Sequence, residues 1–125
     1  MTTSQHHLPI TVVIPTVNRA TLLMRAIDSV RSQRHQSVEL LVVDQSSTDG
    51  TPELLAKNGI PWLKDSGVGA GSARNVGLRR TESDLILFLD SDDVLVPEAL
   101  SALLEGLMEA DADLCFGAVE TCSGN

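Results

Sequence analysis

Residues 85–93 read LILFLDSDD, an apolar run that stops abruptly in three carboxylates. A run of this length with polar residues on both sides predicts a strand that is buried on both faces of a sheet. Asp90, Asp92 and Asp93 would then lie at the carboxyl edge of the sheet, where open α/β sheets bind their ligands. Clustered carboxylates repel one another unless they hold a cation, and oxygen ligands suit Mg²⁺ or Mn²⁺ better than zinc. The stretch therefore predicts a site that holds a divalent cation against phosphate.

Two other interpretations of this stretch compete with the metal site. The stretch is similar to the nucleophile motif of haloacid-dehalogenase-type phosphatases, in which Asp90 would attack the substrate. Such a site needs a downstream lysine, and the chain has none after Val94. Alternatively, the carboxylates cap the helix that begins near Pro97 and face solvent. The metal interpretation is favoured because all three carboxylates follow a single strand end.

Length and composition limit the functions and partners that the chain can have. The 125 residues are 42% hydrophobic and 21% charged, so we expect one domain over residues 1–125, with residues 1–9 flexible. A net charge of −8 argues against a nucleic-acid partner, which needs clustered Lys and Arg. Cys115 and Cys122 lack metal-ligand spacing and the first nine residues are polar, which together predict a cytoplasmic location. No apolar run approaches the ~20 residues of a transmembrane segment, so any membrane association would be peripheral.

Apolar runs of strand length alternate with stretches of helical periodicity along the chain. Strands are predicted at residues 10–14, 39–43, 60–63, 85–89 and 114–119, and helices at residues 22–30, 51–59, 72–80 and 97–108. Thr51, which precedes Pro52, is predicted to be a helix N-cap. Because helical crossovers join parallel strands, the alternation predicts an α/β fold, a three-layer α/β/α sandwich with a mostly parallel sheet.

Polar residues follow the first two predicted strands, as PTVNR at residues 15–19 and DQSSTDG at residues 44–50. Short polar side chains at neighbouring strand ends can hydrogen-bond a nucleobase and a ribose. The alternative is loop chemistry, which is favoured for residues 46–48. The glycine-rich residues 67–77 lie mid-chain, which argues against a dinucleotide-binding fingerprint. They allow close backbone approach to a ligand, and Arg74 within them is a cation that could reach a base or a phosphate.

Taken in order, these segments resemble the family 2 glycosyltransferases of the GT-A fold. The matching segments are IPTVNR at residues 14–19, VDQSSTD at 43–49, GAGSARNVG at 69–77 and DSDD at 90–93. The resemblance implies nucleotide binding by Pro15, Thr16, Asn18, Arg19, Asp44, Gln45, Arg74, Asp90 and Ser91. It also implies that Asp92, with Asp90 nearby, holds Mn²⁺ or Mg²⁺ on the diphosphate of a nucleotide-sugar.

The resemblance implies transfer of a sugar, with a UDP-sugar favoured as donor, to an unknown acceptor. Two features depart from the family pattern: Val17 replaces the usual Tyr, and Gln45-Ser46 replaces Asp-Gly. Gln45 can accept a hydrogen bond from a pyrimidine N–H but can also donate one, which leaves the choice of base open. The catalytic base is unassigned, because in the family it lies in the acceptor-binding half, beyond Asn125.

The sequence therefore supports three hypotheses for the function of the chain. The first is a family 2-type glycosyltransferase, either a naturally short member or the donor-binding portion of a longer enzyme, completed by self-association as a homodimer or by another chain. The second is a non-catalytic nucleotide-sugar-binding module or partner subunit, and the third is the phosphatase that uses Asp90.

Overall fold

Four strands alternate with four helices in the computed structural model, which describes residues 8–35, 37–114 and 117. The strands are β1 (Ile10–Thr16), β2 (Val38–Asp44), β3 (Trp62–Lys64) and β4 (Leu85–Phe88), and the helices are α1 (Ala20–Arg31), α2 (Thr51–Lys57), α3 (Ala70–Arg80) and α4 (Ala99–Glu109). The predicted alternation is confirmed for these elements. The strand predicted at residues 114–119 lies largely outside the described residues.

The strands form one parallel sheet in the order β3-β2-β1-β4. Thr16 pairs in register with Asp44, and Asp44 with Lys64, so the carboxyl ends of the first three strands meet at one edge. The chain moves outward from β1 through β2 to β3, then returns to place β4 on the other side of β1. This reversal creates a crevice beyond the carboxyl ends of β1 and β4, the place where doubly wound sheets bind ligands.

Helices cover both faces of the sheet, which confirms the predicted three-layer α/β/α sandwich. The larger core joins β1 and β2 to α1, α2 and α4 through buried apolar residues that include Ile14, Leu23, Val42, Leu55 and Leu100. The smaller core lies on the other face, where Ala73 of α3 packs with Val13 and Val43. Because α3 connects strands in the reverse direction, a right-handed crossover places it on the face opposite α1 and α2.

Strand β4 differs from its sequence prediction. Within the described residues it lies at an edge of the sheet rather than in the middle, and its residues are half-buried or exposed. Phe88 is 41% exposed, although Leu89, directly after the strand, is buried. The strand buried on both faces is instead β1, whose seven residues are all buried between β2 and β4. The apolar composition of β4 does not by itself fix its place in the sheet.

Asp49 joins the beginnings of two helices. Its carboxylate accepts hydrogen bonds from the backbone N–H of Ala20 at 3.1 Å, at the start of α1, and of Thr51 at 3.2 Å, at the start of α2. The hydroxyl of Thr51 also donates to it. The N-cap of α2 is Gly50, in the left-handed region at φ 87°, so the prediction of Thr51 as the cap was wrong by one residue. A carboxylate near two helix N-termini complements both dipoles.

These hydrogen bonds, led by that of the Thr51 hydroxyl and then by that of Ala20, lower the pKa of Asp49 below its usual value. A lowered pKa in the folded protein gives stability that is present above the unfolded pKa and lost as pH falls through the folded pKa. We therefore expect Asp49→Ala to lower the free energy of unfolding at pH 7, with a difference that shrinks below about pH 4. Urea unfolding at several pH values measures this. Asp84→Ala, an exposed Asp at the amino end of β4, is the control, and a deficit that stays constant with pH would contradict the prediction.

Gly77 sets the distance between α3 and the sheet. A Cβ built on Gly77 would collide with the Cγ1 atom of Val13, whereas one built on Gly71 of the same helix meets nothing within 4 Å. The helix therefore touches β1 through backbone at Gly77, and this close approach seats α3 on the sheet.

Within the described residues, no helix has the length and apolar character that crossing a bilayer requires.

We expect Gly77→Ala to destabilise the fold by about 1–3 kcal/mol, because the added methyl group overpacks a fully buried contact. Gly71→Ala is the matched control and should be neutral or stabilising by up to about 1 kcal/mol, since a helical glycine is replaced in open space. Thermal and urea unfolding of the two variants measure the difference. Equal stability of the two variants would contradict the proposed close packing of α3 on Val13.

Candidate functional site

A cavity of about 640 Å³ lies at the carboxyl edge of the sheet, in the crevice between β1 and β4. Segments that follow each of the four strands contribute to its wall. The residues that line it are Pro15, Thr16, Val17, Arg19, Gln45, Gly67, Val68, Gly69, Ala70, Arg74, Asp90, Ser91 and Asp92. The cavity therefore combines two cations, two carboxylates and a glycine-rich backbone at the topological switch point of the sheet.

Most of the residues singled out in the sequence lie together in this cavity. Eight of the ten candidates line it: Pro15, Thr16, Arg19, Gln45, Arg74, Asp90, Ser91 and Asp92. Asn18 and Asp44 do not line it. A direct contact of either residue with a nucleotide stays a prediction. In the structure both residues form hydrogen bonds that hold neighbouring loops.

Asn18 and Asp44 fasten neighbouring loops. The Asn18 side-chain oxygen accepts from the backbone N–H of Thr48 at 2.7 Å, and the Asn18 N–H donates to the Ser47 hydroxyl at 2.8 Å. Asp44 is 1% exposed and accepts from both the backbone N–H and the hydroxyl of Ser47. The loop after β1 is thereby fixed to the loop after β2, and with it the position of Arg19. The favoured interpretation of residues 46–48 as loop structure agrees with these contacts.

Asp90, Asp92 and Asp93 form an acidic cluster whose carboxylate oxygens lie within 4.8 Å of one another. Partial burial, followed by the negative charges of Asp92 and Asp90, raises the pKa of Asp93 above its usual value. Three exposed carboxylates at this spacing provide the hard oxygen donors that Mg²⁺ or Mn²⁺ requires. The three carboxylates that the sequence predicts at this strand end therefore lie together, including Asp93, to which the family resemblance assigned no metal role.

Two arginines are paired with this acidic cluster. Arg19 lies 3.1 Å from Asp92, and Arg74 lies 3.3 Å from Asp90. All four side chains are about half exposed, so each pair contributes at most about 1 kcal/mol to stability. The arginines therefore offset two of the three negative charges of the cluster through weak ion pairs.

Polar atoms in the cavity wall lack partners within the described part of the chain. Thr16 is 4% exposed, and its hydroxyl oxygen has no hydrogen bond; the Nε atom of Arg74 is also buried without one. A buried polar atom without a partner costs about 1–3 kcal/mol. Both residues line the cavity, so its wall includes side chains whose hydrogen-bonding capacity is not used within the described residues.

The residues that hold Gln45 carry no motif that would have predicted these contacts from the sequence. The Gln45 amide nitrogen donates to Asp65 at 3.0 Å and to the backbone oxygen of Gly69 at 2.7 Å. Asp65 lies just after the short strand β3, and no motif marked it. The signal that could have found it is its place at the carboxyl end of a third parallel strand, directly before the glycine-rich loop.

Comparison with known proteins identifies the protein family to which this chain is similar. The family model for Glycosyl transferase family 2 matches residues 11–125. The succinoglycan biosynthesis protein ExoO of Rhizobium meliloti (strain 1021) is 34% identical over 118 residues, which cover 91% of this chain and 34% of ExoO. The glycosyltransferase GlyA of Streptococcus pneumoniae serotype 4 is 29% identical over 113 residues, which cover 86% of this chain and 16% of GlyA.

Solved structures give the same result. S. aureus TarS 1–349 in complex with UDP has a TM-score of 0.72 and 28% identity, over 81% of this chain and 32% of that chain. Glucosyl-3-phosphoglycerate synthase from Mycobacterium tuberculosis, in complex with Mn²⁺, UDP and glucosyl-3-phosphoglycerate, has a TM-score of 0.67 and 27% identity, over 85% of this chain and 41% of that chain. The predicted GT-A fold class is confirmed. The chain spans less than half the length of each of these four relatives.

Proposed function

Because the chain belongs to glycosyl transferase family 2, we propose that its cavity binds a nucleotide-diphosphate sugar and serves the transfer of that sugar to an acceptor. A UDP-sugar is the favoured donor. The observation that carries the proposal is the convergence of Thr16, Arg19, Arg74 and the acidic cluster at one strand edge. The relatives whose structures contain UDP, or UDP with Mn²⁺, support the same ligand class for this chain.

The acidic cluster is proposed to hold Mn²⁺ or Mg²⁺, with Asp92 and Asp90 as ligands and Asp93 beside them. A divalent cation at this position would offset the negative charge that develops on a departing nucleoside diphosphate. The metal ligands fit such an ion because the oxygens of three carboxylates lie within 4.8 Å of one another and the cluster contains no sulfur or nitrogen ligand. The solvent exposure of all three leaves room for phosphate oxygens around the same ion.

Arg19 and Arg74 are proposed to exchange partners when the donor binds. In the structure each arginine neutralises one carboxylate of the cluster. A cation on the carboxylates would take over that neutralisation, and the arginines would be free to contact the incoming diphosphate. Arginine suits this exchange because its planar guanidinium binds carboxylate and phosphate with the same paired geometry. The weak, half-exposed ion pairs keep the cost of the exchange small.

The acceptor, the catalytic base and the stereochemical outcome stay unassigned. Since the chain covers 34% of ExoO and 16% of GlyA, a non-catalytic nucleotide-sugar-binding module or partner subunit is the second candidate function. Donor binding without transfer or hydrolysis would favour it.

Self-association, peripheral membrane association and a cytoplasmic location also stay predictions. The family match leaves the phosphatase interpretation of Asp90 without support.

Calorimetric titration of UDP in the presence of Mn²⁺ tests the proposed function. We expect wild-type protein to bind, and Asp92→Ala to weaken binding by roughly 10–100-fold, because a charge-assisted contact to the cation is lost. Asp84→Ala is the control, since it removes an exposed carboxylate at the opposite edge of the sheet. Equal affinity of the wild type and Asp92→Ala would show that the acidic cluster does not hold the metal.

The exchange of arginine partners gives a separate prediction. With Mn²⁺ alone, Arg19→Ala should bind the metal up to about fivefold more tightly, because the ion no longer competes with an ion pair of at most about 1 kcal/mol. With UDP present, the same variant should bind more weakly than wild type, since a phosphate contact is missing. Arg25→Ala, which removes an exposed arginine of α1, is the control. A change in the same direction with and without UDP would exclude the exchange.

A further inference from the structure

Gln45 is the first residue after β2, and its side chain has a defined orientation. Its amide nitrogen donates to the Oδ2 atom of Asp65 at 3.0 Å and to the backbone oxygen of Gly69 at 2.7 Å. These two contacts use both N–H groups of the amide. The carbonyl oxygen of Gln45 accepts no hydrogen bond from the described residues, and Gln45 lines the cavity.

The surroundings allow only this orientation of the amide. The backbone oxygen of Gly69 and the ionised carboxylate of Asp65 are both acceptors, so a reversed amide would place its oxygen against two other oxygens. An amide in solution can turn over and offer either end to a ligand. Here the two acceptors hold the nitrogen on their side and leave the oxygen for a ligand.

Asp65 is itself held in place by other donors. It is 8% exposed and accepts from the backbone N–H of Gly67 at 2.9 Å and from the hydroxyl of Ser72 at 2.8 Å. The hydrogen bond from Gln45, then those from Gly67 and Ser72, lower the pKa of Asp65, so it stays ionised at neutral pH. A Cβ on Gly67 would overlap the Ser72 hydroxyl, so a side chain there would disturb the hydrogen bond that this hydroxyl donates to Asp65.

We propose that Asp65 is a positioning residue that fixes Gln45 as a hydrogen-bond acceptor, so that the site selects uracil over cytosine. This inference rests on the proposed function and specifies the nucleobase of the sugar donor. Uracil carries an N–H on the ring nitrogen N3 and would donate to the Gln45 carbonyl. The N3 of cytosine is an acceptor and would face another acceptor, which leaves both atoms without a partner. The two bases have the same ring size, so hydrogen-bond polarity rather than cavity volume distinguishes them.

The test compares UDP with CDP, each titrated with Mn²⁺ into the wild type, Asp65→Asn and Gln45→Ala. Wild type should prefer UDP by roughly tenfold or more, as sites with fixed hydrogen-bond polarity do. In Asp65→Asn the new amide can present its own N–H groups to Gln45, which weakens the bias on the Gln45 amide and leaves the backbone oxygen of Gly69 as its one remaining fixed acceptor. The UDP:CDP affinity ratio should then fall severalfold towards one, through weaker UDP binding and stronger CDP binding.

Gln45→Ala keeps Asp65 and removes the carbonyl, so it should lose the base preference even if Asp65→Asn folds poorly. In the double variant, Asp65→Asn should change the ratio no further, because Asp65 acts only through Gln45. Asp84→Asn, the same chemical change at the opposite edge of the sheet, should keep the wild-type ratio.

The outcomes separate this inference from the function on which it rests. Binding of UDP and CDP with equal affinity by wild type, or an unchanged ratio in Asp65→Asn, would overturn the role of Asp65 and leave the donor site in place. Absence of binding to either nucleotide would overturn the proposed function, and this inference with it. A general loss of affinity in Asp65→Asn at a constant ratio would assign Asp65 a purely structural role.

Discussion

Parallel pairing of β1 on both of its sides is the constraint on which the rest of the structure depends. All seven residues of β1 are buried, and β2 and β4 pair with it in register. Because β2 and β4 lie on opposite sides of β1, the segments that follow β1 and β4 lie beside each other at the carboxyl edge of the sheet and line the cavity. The close contact of Gly77 with Val13 belongs to the same arrangement, since it seats α3 on the face that the return crossover requires. A sheet of the same strands in a different order would separate Thr16 from Asp90.

Charge is arranged differently in the site and in the chain as a whole. The chain carries a formal net charge of −8, yet the cavity contains two arginines beside its carboxylates. The acidic cluster would repel a diphosphate, and the arginines alone would attract one. Their pairing in the structure offsets two of the three carboxylates, and a bound cation would change this balance of charge. The proposed binding of metal and of nucleotide would therefore be thermodynamically linked, because each would change the partners that the other meets.

Much of this architecture was predictable from the sequence, for a specific reason. Apolar runs such as residues 10–14 and 85–89 show where strands end, and the polar residues that follow a strand end lie at the ligand-binding edge whatever the details of packing. What escaped prediction depends on contacts between distant segments. The sequence shows β4 as the most apolar strand, but its place at an edge follows from strand order. Asp44 matches a family motif, but its burial against Ser47 follows from loop geometry. The pairing of Gln45 with Asp65 spans 20 positions without any local pattern.

The replacement of a family carboxylate by Gln45 illustrates how the chain compensates for a change of chemistry. The family pattern resembled by residues 43–49 has Asp at this position, and a carboxylate there can only accept hydrogen bonds. An unrestrained glutamine would lose that restriction. Asp65 restores that restriction. Its carboxylate and the backbone oxygen of Gly69 accept the two N–H groups of the Gln45 amide, and a turned amide would place its oxygen against both of these acceptors. The negative charge therefore lies one hydrogen bond further from the cavity wall than it would with Asp at position 45. A neutral carbonyl, polarised by the ionised carboxylate behind its amide, would meet the base of the proposed donor. This arrangement would keep an acceptor towards the base and add no negative charge to a cavity that already contains Asp90 and Asp92.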